Sequence, residues 1–126
     1  MINNPENIMT LTITDVVNAL SPFGDITARH MFGGYGIYKD GIIIALMDEE
    51  EVYFKSTPTS ESFYQSFDSY PFVYEGQRRP VKMSYWNVPK TVFDDSTLLE
   101  QWIDIAYRSA LTAQKTKKPP KRRPLL

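Results

Sequence analysis

From Met9 the apolar positions fall at Met9, Ile13, Val16, Val17 and Leu20, the spacing of one helix face. Thr10 or Thr12 is placed to cap that helix. Ser21-Pro22 ends it, because a residue before proline avoids the α region. The β-branched content of the stretch also suits a strand. After Phe23-Gly24-Asp25 the pattern becomes extended. Ile26 to Phe32 reads as a first strand and Gly36 to Lys39 as a second, with Asp40-Gly41 as a hairpin signal after it. Ile42 to Met47 is an unbroken apolar run. It predicts a central strand covered on both faces, or one partly covered by a partner chain. Asp48 to Glu51 reads as a charged, solvated turn, and Glu51 to Lys55 as a further strand.

Thr57-Pro58 then opens a second predicted helix, with Thr57 as N-cap and Pro58 as the first helical residue. Phe63 and Phe67, four apart, face the core together, and Ser69-Tyr70-Pro71 stops the helix. Phe72 to Glu75 and Pro80 to Trp86 are strands joined by a turn at Glu75-Gly76-Gln77-Arg78, and Pro80 marks an edge or a strand beginning. Val81, Met83 and Tyr85 alternate against Lys82, Ser84 and Trp86, so one of the two faces packs on a helix. Asn87-Val88-Pro89 leaves the sheet. Asp94-Asp95-Ser96 caps a last helix whose apolar positions Leu98, Leu99, Trp102, Ile105, Ala106 and Ala110 carry it to about Ala113. The order is a helix, three or four strands, a helix, two strands and a helix. An α+β two-layer fold, an antiparallel sheet of about five or six strands with helices, satisfies it.

Composition narrows the class. At 126 residues with 42% hydrophobic content the chain supports one domain, taken as residues 1–114. There is no cysteine, so disulfides, thiolate metal sites and cysteine nucleophiles are excluded. The first residues lack a basic and then apolar leader pattern, and no apolar run approaches a membrane span, so a soluble cytoplasmic protein is expected. The net charge of −1 hides an asymmetry. Lys115, Lys117, Lys118, Lys121, Arg122 and Arg123 fall within the last twelve residues without an acid, while the residues before them hold all fifteen acids and a net of −7. Residues 115–126, rich in proline as well, are expected to be a disordered basic tail. Such a tail is suited to weak, nonspecific and salt-sensitive contact with phosphates, although the acidic body opposes a DNA-reading domain.

The chemistry of catalysis is sparse. His30 is the one histidine, and with no cysteine it builds no usual zinc site. No G-x-S-x-G elbow is present, and Asp94 and Asp95 sit where a helix cap belongs. No catalytic residue, metal or cofactor is therefore assigned. The stretch Arg29-His30-Met31-Phe32-Gly33-Gly34-Tyr35-Gly36-Ile37-Tyr38 holds three of the six glycines. It reads as a sharp bend between strands, since its G-G-x-G spacing lacks the pattern and the helix of a phosphate loop. Tyr35, Tyr38, Tyr53, Tyr74, Tyr85 and Trp86 are numerous enough that some must point away from the helices. Exposed beside Arg29, Arg78, Arg79 and Lys82 they would stack bases or grip a peptide; buried, they are packing residues.

The glycine-bearing stretch, followed by Asp40-Gly41 and Tyr53-Phe54-Lys55, resembles the opening signature of the TfoX/Sxy family's N-terminal domain. Pro71-Phe72-Val73-Tyr74 and Met83-Ser84-Tyr85-Trp86-Asn87-Val88-Pro89 resemble its second signature, and Phe93-Asp94-Asp95 its ending, over roughly residues 8 to 113. The resemblance implies a fold like type III secretion chaperones and a non-enzymatic regulatory role. The family includes activators of competence and DNA-uptake genes that act with the cyclic-AMP receptor protein. By that resemblance the short basic segment is expected to stand where the full-length regulators carry a C-terminal helical domain. On this reading Arg29, Phe32, Gly33, Gly34, Tyr35, Gly36, Tyr85 and Trp86 are the candidate partner-binding residues. The six tail cations are the candidate nucleic-acid contacts, and a homodimer is compatible with the apolar Ile42–Met47 run.

Overall fold

The computed structural model describes residues 11–31, 33–75 and 80–116. Helix α1 spans Ile13–Leu20. Thr12 caps it reciprocally: the Asp15 amide donates to Thr12 Oγ1 and the Thr12 amide to Asp15 Oδ2, each at 3.1 Å. The expected start near Met9 lies outside the described residues. A single 3-10 turn at Ser21–Phe23, carrying Pro22, closes the helix. Strands β1 (Ile26–Met31), β2 (Gly34–Lys39), β3 (Ile42–Asp48) and β4 (Glu51–Lys55) then form a meander. Helix α2 (Glu61–Gln65) leads to β5 (Pro71–Glu75) and β6 (Pro80–Asn87). A four-residue helix α3 (Lys90–Phe93) and the long α4 (Ser96–Thr116) complete the order. The sheet runs β1-β2-β3-β4-β6-β5, with every pairing antiparallel. The α+β architecture expected from the pattern is the one observed.

Several boundaries differ, each for a local reason. β2 begins at Gly34 rather than Gly36, because Met31 pairs with Gly34 and leaves a two-residue loop. α2 begins at Glu61 rather than Pro58. Thr57 and Ser60 bond one another, Thr57 N to Ser60 Oγ at 2.9 Å and Ser60 N to Thr57 Oγ1 at 3.4 Å, and so close a turn before the helix starts. Pro80 does begin a strand, the second of the two readings offered for it; β6 is interior, between β4 and β5, and β1 and β5 are the edges. α3 was not foreseen; it is one turn following Pro89. Asp95 caps α4, accepting from Leu98 N at 3.1 Å, and α4 continues to Thr116, two residues into the segment read as tail. Asp40 and Gly41 both adopt positive φ, 50° and 83°, as an Asp-Gly hairpin requires.

The register explains the core. Ile37, Ala45, Phe54 and Trp86 are successive cross-strand neighbours, all buried, and they form one row under the helices. Trp102 of α4 is fully buried over that row, with ring centroids 5.0–6.4 Å from Tyr64, Phe63, Phe67 and Phe54. Val16 and Leu20 of α1 join the same cluster. Phe63 and Phe67 do face this core together.

Candidate functional site

Strand alternation puts the next residues of each strand on the opposite face. The row Arg29, Gly36, Leu46, Tyr53 and Asn87 lies there. A bulge between Ile37 and Tyr38 pairs Tyr38 with Ile43, so Ile44 and Ala45 both turn to the core while Ile43 turns with Leu46 to the other face. A half-open apolar trough of about 450 Å³ runs over this face. Strand residues alone line it: Met31, Gly34, Ile43 and Leu46 from one side, Met83 and Tyr85 with the β5 residues Phe72 to Tyr74 from the other. No described helix contributes. Asp48 stands at its mouth, where the β3–β4 hairpin carries Asp48, Glu49, Glu50 and Glu51 in succession.

Two glycines give the trough its shape. A Cβ on Gly34 would overlap the Met47 carbonyl oxygen, a backbone atom of the neighbouring strand. A Cβ on Gly36 would meet Met31 Cε at 2.9 Å and Ile43 Cδ1 at 3.2 Å, so the missing side chain is what lets Met31 lie across β2.

The far margin is held by polar contacts. Asn87 Nδ2 donates to Glu51 Oε1 at 2.6 Å, and the Asn87 amide donates to the Tyr70 carbonyl at 2.8 Å. The Ser69 hydroxyl donates to the Asn87 carbonyl. These bonds tie the lead-in to β5 onto β6 and β4. Tyr53 sits below, its ring 4.8 Å from Phe72 and 6.3 Å from Tyr70. Burial, together with Tyr70 and the acids of the hairpin, pushes its phenol up from 10.0 to about 12. Burial raises Tyr85 too, with Tyr38 adding to it, and the Lys55 ammonium lies 4.8 Å from the Tyr85 ring. Beside the trough, Tyr70, Val73, Tyr74 and Val81 are four of the five large hydrophobic residues that stand exposed among the described ones.

The sequence-derived candidates divide accordingly. Gly34, Gly36 and Tyr85 meet in or under the trough. Arg29 shares its face, exposed, with its guanidinium 5.6 Å from the Tyr38 ring. Gly33 occupies the exposed hairpin loop with φ of 81°, and Phe32 lies outside the described residues. Tyr35 is half-buried against the core, its ring 4.6 Å from exposed His30, and it reaches only the trough's end. Trp86 is 3% exposed and belongs to the helix-side core, stacked at 6.5 Å on Tyr64. Grouping it with Tyr85 on one surface is thus corrected: neighbours along a strand point to opposite faces, and Trp86 supports the sheet from behind. Lys115 is exposed in the last turn of α4. Lys117, Lys118, Lys121, Arg122 and Arg123 lie outside the described residues. Leu46, Ile43, Met31, Met83 and Phe72 were not singled out as site residues. For Ile43 and Leu46 the signal was present in the unbroken Ile42–Met47 run, which is apolar at positions of both parities.

Among the described residues no group of three or more His, Asp or Glu is placed to hold a metal ion, and no helix is long and apolar enough to cross a membrane. A comparison with curated proteins found no match. Among protein-family models, that of the TfoX N-terminal domain matches residues 18–110, a span that takes in all six strands, the trough and the aromatic core. The chain belongs to the TfoX N-terminal domain family.

Proposed function

We propose that this chain is a non-enzymatic regulatory module that captures a protein partner on the helix-free face of its sheet and acts as a transcriptional co-regulator. The observation that carries this reading is the apolar trough itself. A six-stranded sheet buries one face under helices and leaves the other lined with Ile43, Leu46, Met83 and Tyr85, beside exposed Tyr74 and Val81. An apolar surface of that kind beside polar margins marks a docking site. Family membership supports a role related to competence. On this reading the partner is a transcription regulator of the cyclic-AMP receptor type, as the family resemblance implies.

The test is affinity capture of the tagged protein from its own cells, with nuclease added, and identification of what remains. A transcription regulator or polymerase subunit should survive the nuclease. The competing reading, nonspecific nucleic-acid contact through Lys115 to Arg123, draws on the six cations of the tail. It predicts that every captured protein leaves with the nucleic acid and that removing residues 115–126 abolishes binding.

A further inference from the structure

The sheet has two edges, and their side chains differ. On β1 the exposed residues are Thr27, Arg29 and His30, and a polar, charged edge discourages pairing. On β5 no residue from Pro71 to Tyr74 is charged, and no described strand pairs with its outer side. Its exposed apolar residues look both ways. Tyr74 opposes Val81 on the helix-free face. Val73 opposes Lys82 on the face of Trp86, where the Lys82 ammonium lies 5.7 Å from the indole ring. The long helix α4 packs on β3 and β4, and Val73, two strands further out, stays 44% exposed. A partner lying on either face covers one of these side chains; an added strand covers both.

The prolines show which backbone groups this edge offers. In an antiparallel pair, opposed residues either exchange both backbone hydrogen bonds or neither. Pro71 opposes Trp86 and Pro80 opposes Glu75, and proline has no amide, so neither pair exchanges them. Tyr74 and Val81 therefore do, and Pro71, Val73 and Glu75 turn their backbone groups to the open side.

We propose that β5 pairs antiparallel with β5 of a second copy of this chain, centred on Val73. The occupant follows from the way the strand matches itself about a two-fold axis. With Val73 opposite the partner's Val73, Phe72 opposes the partner's Tyr74 and Pro71 the partner's Glu75, so all five residues of the strand are paired. Valine meets valine on one face and aromatic meets aromatic on the other, both favourable cross-strand pairs. Charge selects the same register. Centring on Glu75 opposes two like charges, and centring on Tyr74 sets Glu75 against the partner's Val73. A five-residue seam falls short of the about 1,200–2,000 Å² of a standard stable interface, so the dimer is a reversible one that dilution separates. Its axis stands perpendicular to the sheet, so the two sheets run on as one and both troughs lie on the same side. The proposal adds to the partner-capture reading without resting on it, and it is decided with no partner present.

The test is sedimentation equilibrium of the full chain over a wide range of concentration, with cross-linking to fix the register. The wild type should pass from monomer to dimer as concentration rises. Val73→Pro removes an outward-facing amide, so circular dichroism should report an unchanged fold while the dimer is lost. Val73→Lys, which keeps the amide and adds an edge charge, should separate the dimer as well. The chain has no cysteine, so Val73→Cys introduces a unique thiol. Residues opposed in this way have Cα atoms about 5.5 Å apart, within disulfide range. Mild oxidation should therefore link Val73→Cys chains rapidly. Tyr74→Cys chains, similarly exposed but two places out of register, should link slowly, and urea should abolish the difference. A wild type that stays monomeric at every concentration overturns the proposal. So does a dimer undiminished in folded Val73→Pro or Val73→Lys, and so do equal linking rates for the two folded cysteine variants.

Discussion

Asn87 Nδ2 lies 2.6 Å from Glu51 Oε1, a hydrogen bond that joins the end of β6 to the start of β4 beside the trough. Asn87 is 5% exposed, and its backbone is bonded to Tyr70 and Ser69 at the same time. Asn87→Asp removes the donor and sets a second carboxylate against Glu51. The expected loss is about 2–3 kcal/mol at neutral pH, from an unmet buried group plus like-charge repulsion. Urea denaturation at neutral pH measures it; an unchanged midpoint contradicts the assignment.

The two trough glycines should differ in their tolerance. Gly34→Ala drives a Cβ into the Met47 carbonyl oxygen, which cannot yield without breaking the β2–β3 pairing. Gly36→Ala meets only the ends of the Met31 and Ile43 side chains, which can rotate away. Overpacking of the second kind costs about 1–3 kcal/mol. Gly34→Ala should cost more, and thermal melts of the two variants should rank in that order.

Trp102 is fully buried among Phe54, Phe63, Tyr64 and Phe67, and its indole nitrogen has no hydrogen-bond partner among the described residues. Trp102→Ala should lose about 3–5 kcal/mol. Trp102→Phe should lose far less, because it keeps ring packing and removes an unpaired donor. Comparable losses from the two variants in chemical denaturation would show that the indole nitrogen is satisfied.

Alkaline pH should unfold the domain early. Tyr53, Tyr64, Tyr70 and Tyr85 are all raised above 10.0, chiefly by burial. An unfolded phenol ionises near pH 10, so the fold holds its protons longer than the unfolded chain. The stability these groups contribute is complete below about pH 10 and falls as pH rises through the folded values, about 12 for Tyr53. Phenolate absorbance should titrate in two groups, the later one coinciding with unfolding. Tyr53→Phe should shift that unfolding to higher pH.

Much of the fold was legible because its signals are local. Thr12, Asp40-Gly41 and Asp95 act through residues within three positions of themselves, and each does what its type predicts. The strands followed from alternation and from the proline and glycine stops. The exact start of α2 was not legible, because Thr57 and Ser60 satisfy one another before the helix begins. The site was harder to read. Which of Tyr85 and Trp86 faces the helices depends on β6 pairing with β4 and on the register that sets Trp86 beside Phe54. That is a long-range fact carried by neither residue. The bulge that turns Ile43 outward likewise belongs to a strand pair rather than to a single strand.

The central claim is that the helix-free face captures a protein. Its most direct test compares the wild-type chain with Tyr74→Lys, alone and combined with Leu46→Asp, in nuclease-treated affinity capture, with circular dichroism confirming the fold. Tyr74 is 46% exposed at the trough and pairs with Val81 on that face, so its replacement leaves the core untouched. The account predicts a transcription-related protein retained by the wild type, reduced by the single change and lost with both. Capture of the same protein, undiminished, by the folded double variant would contradict it.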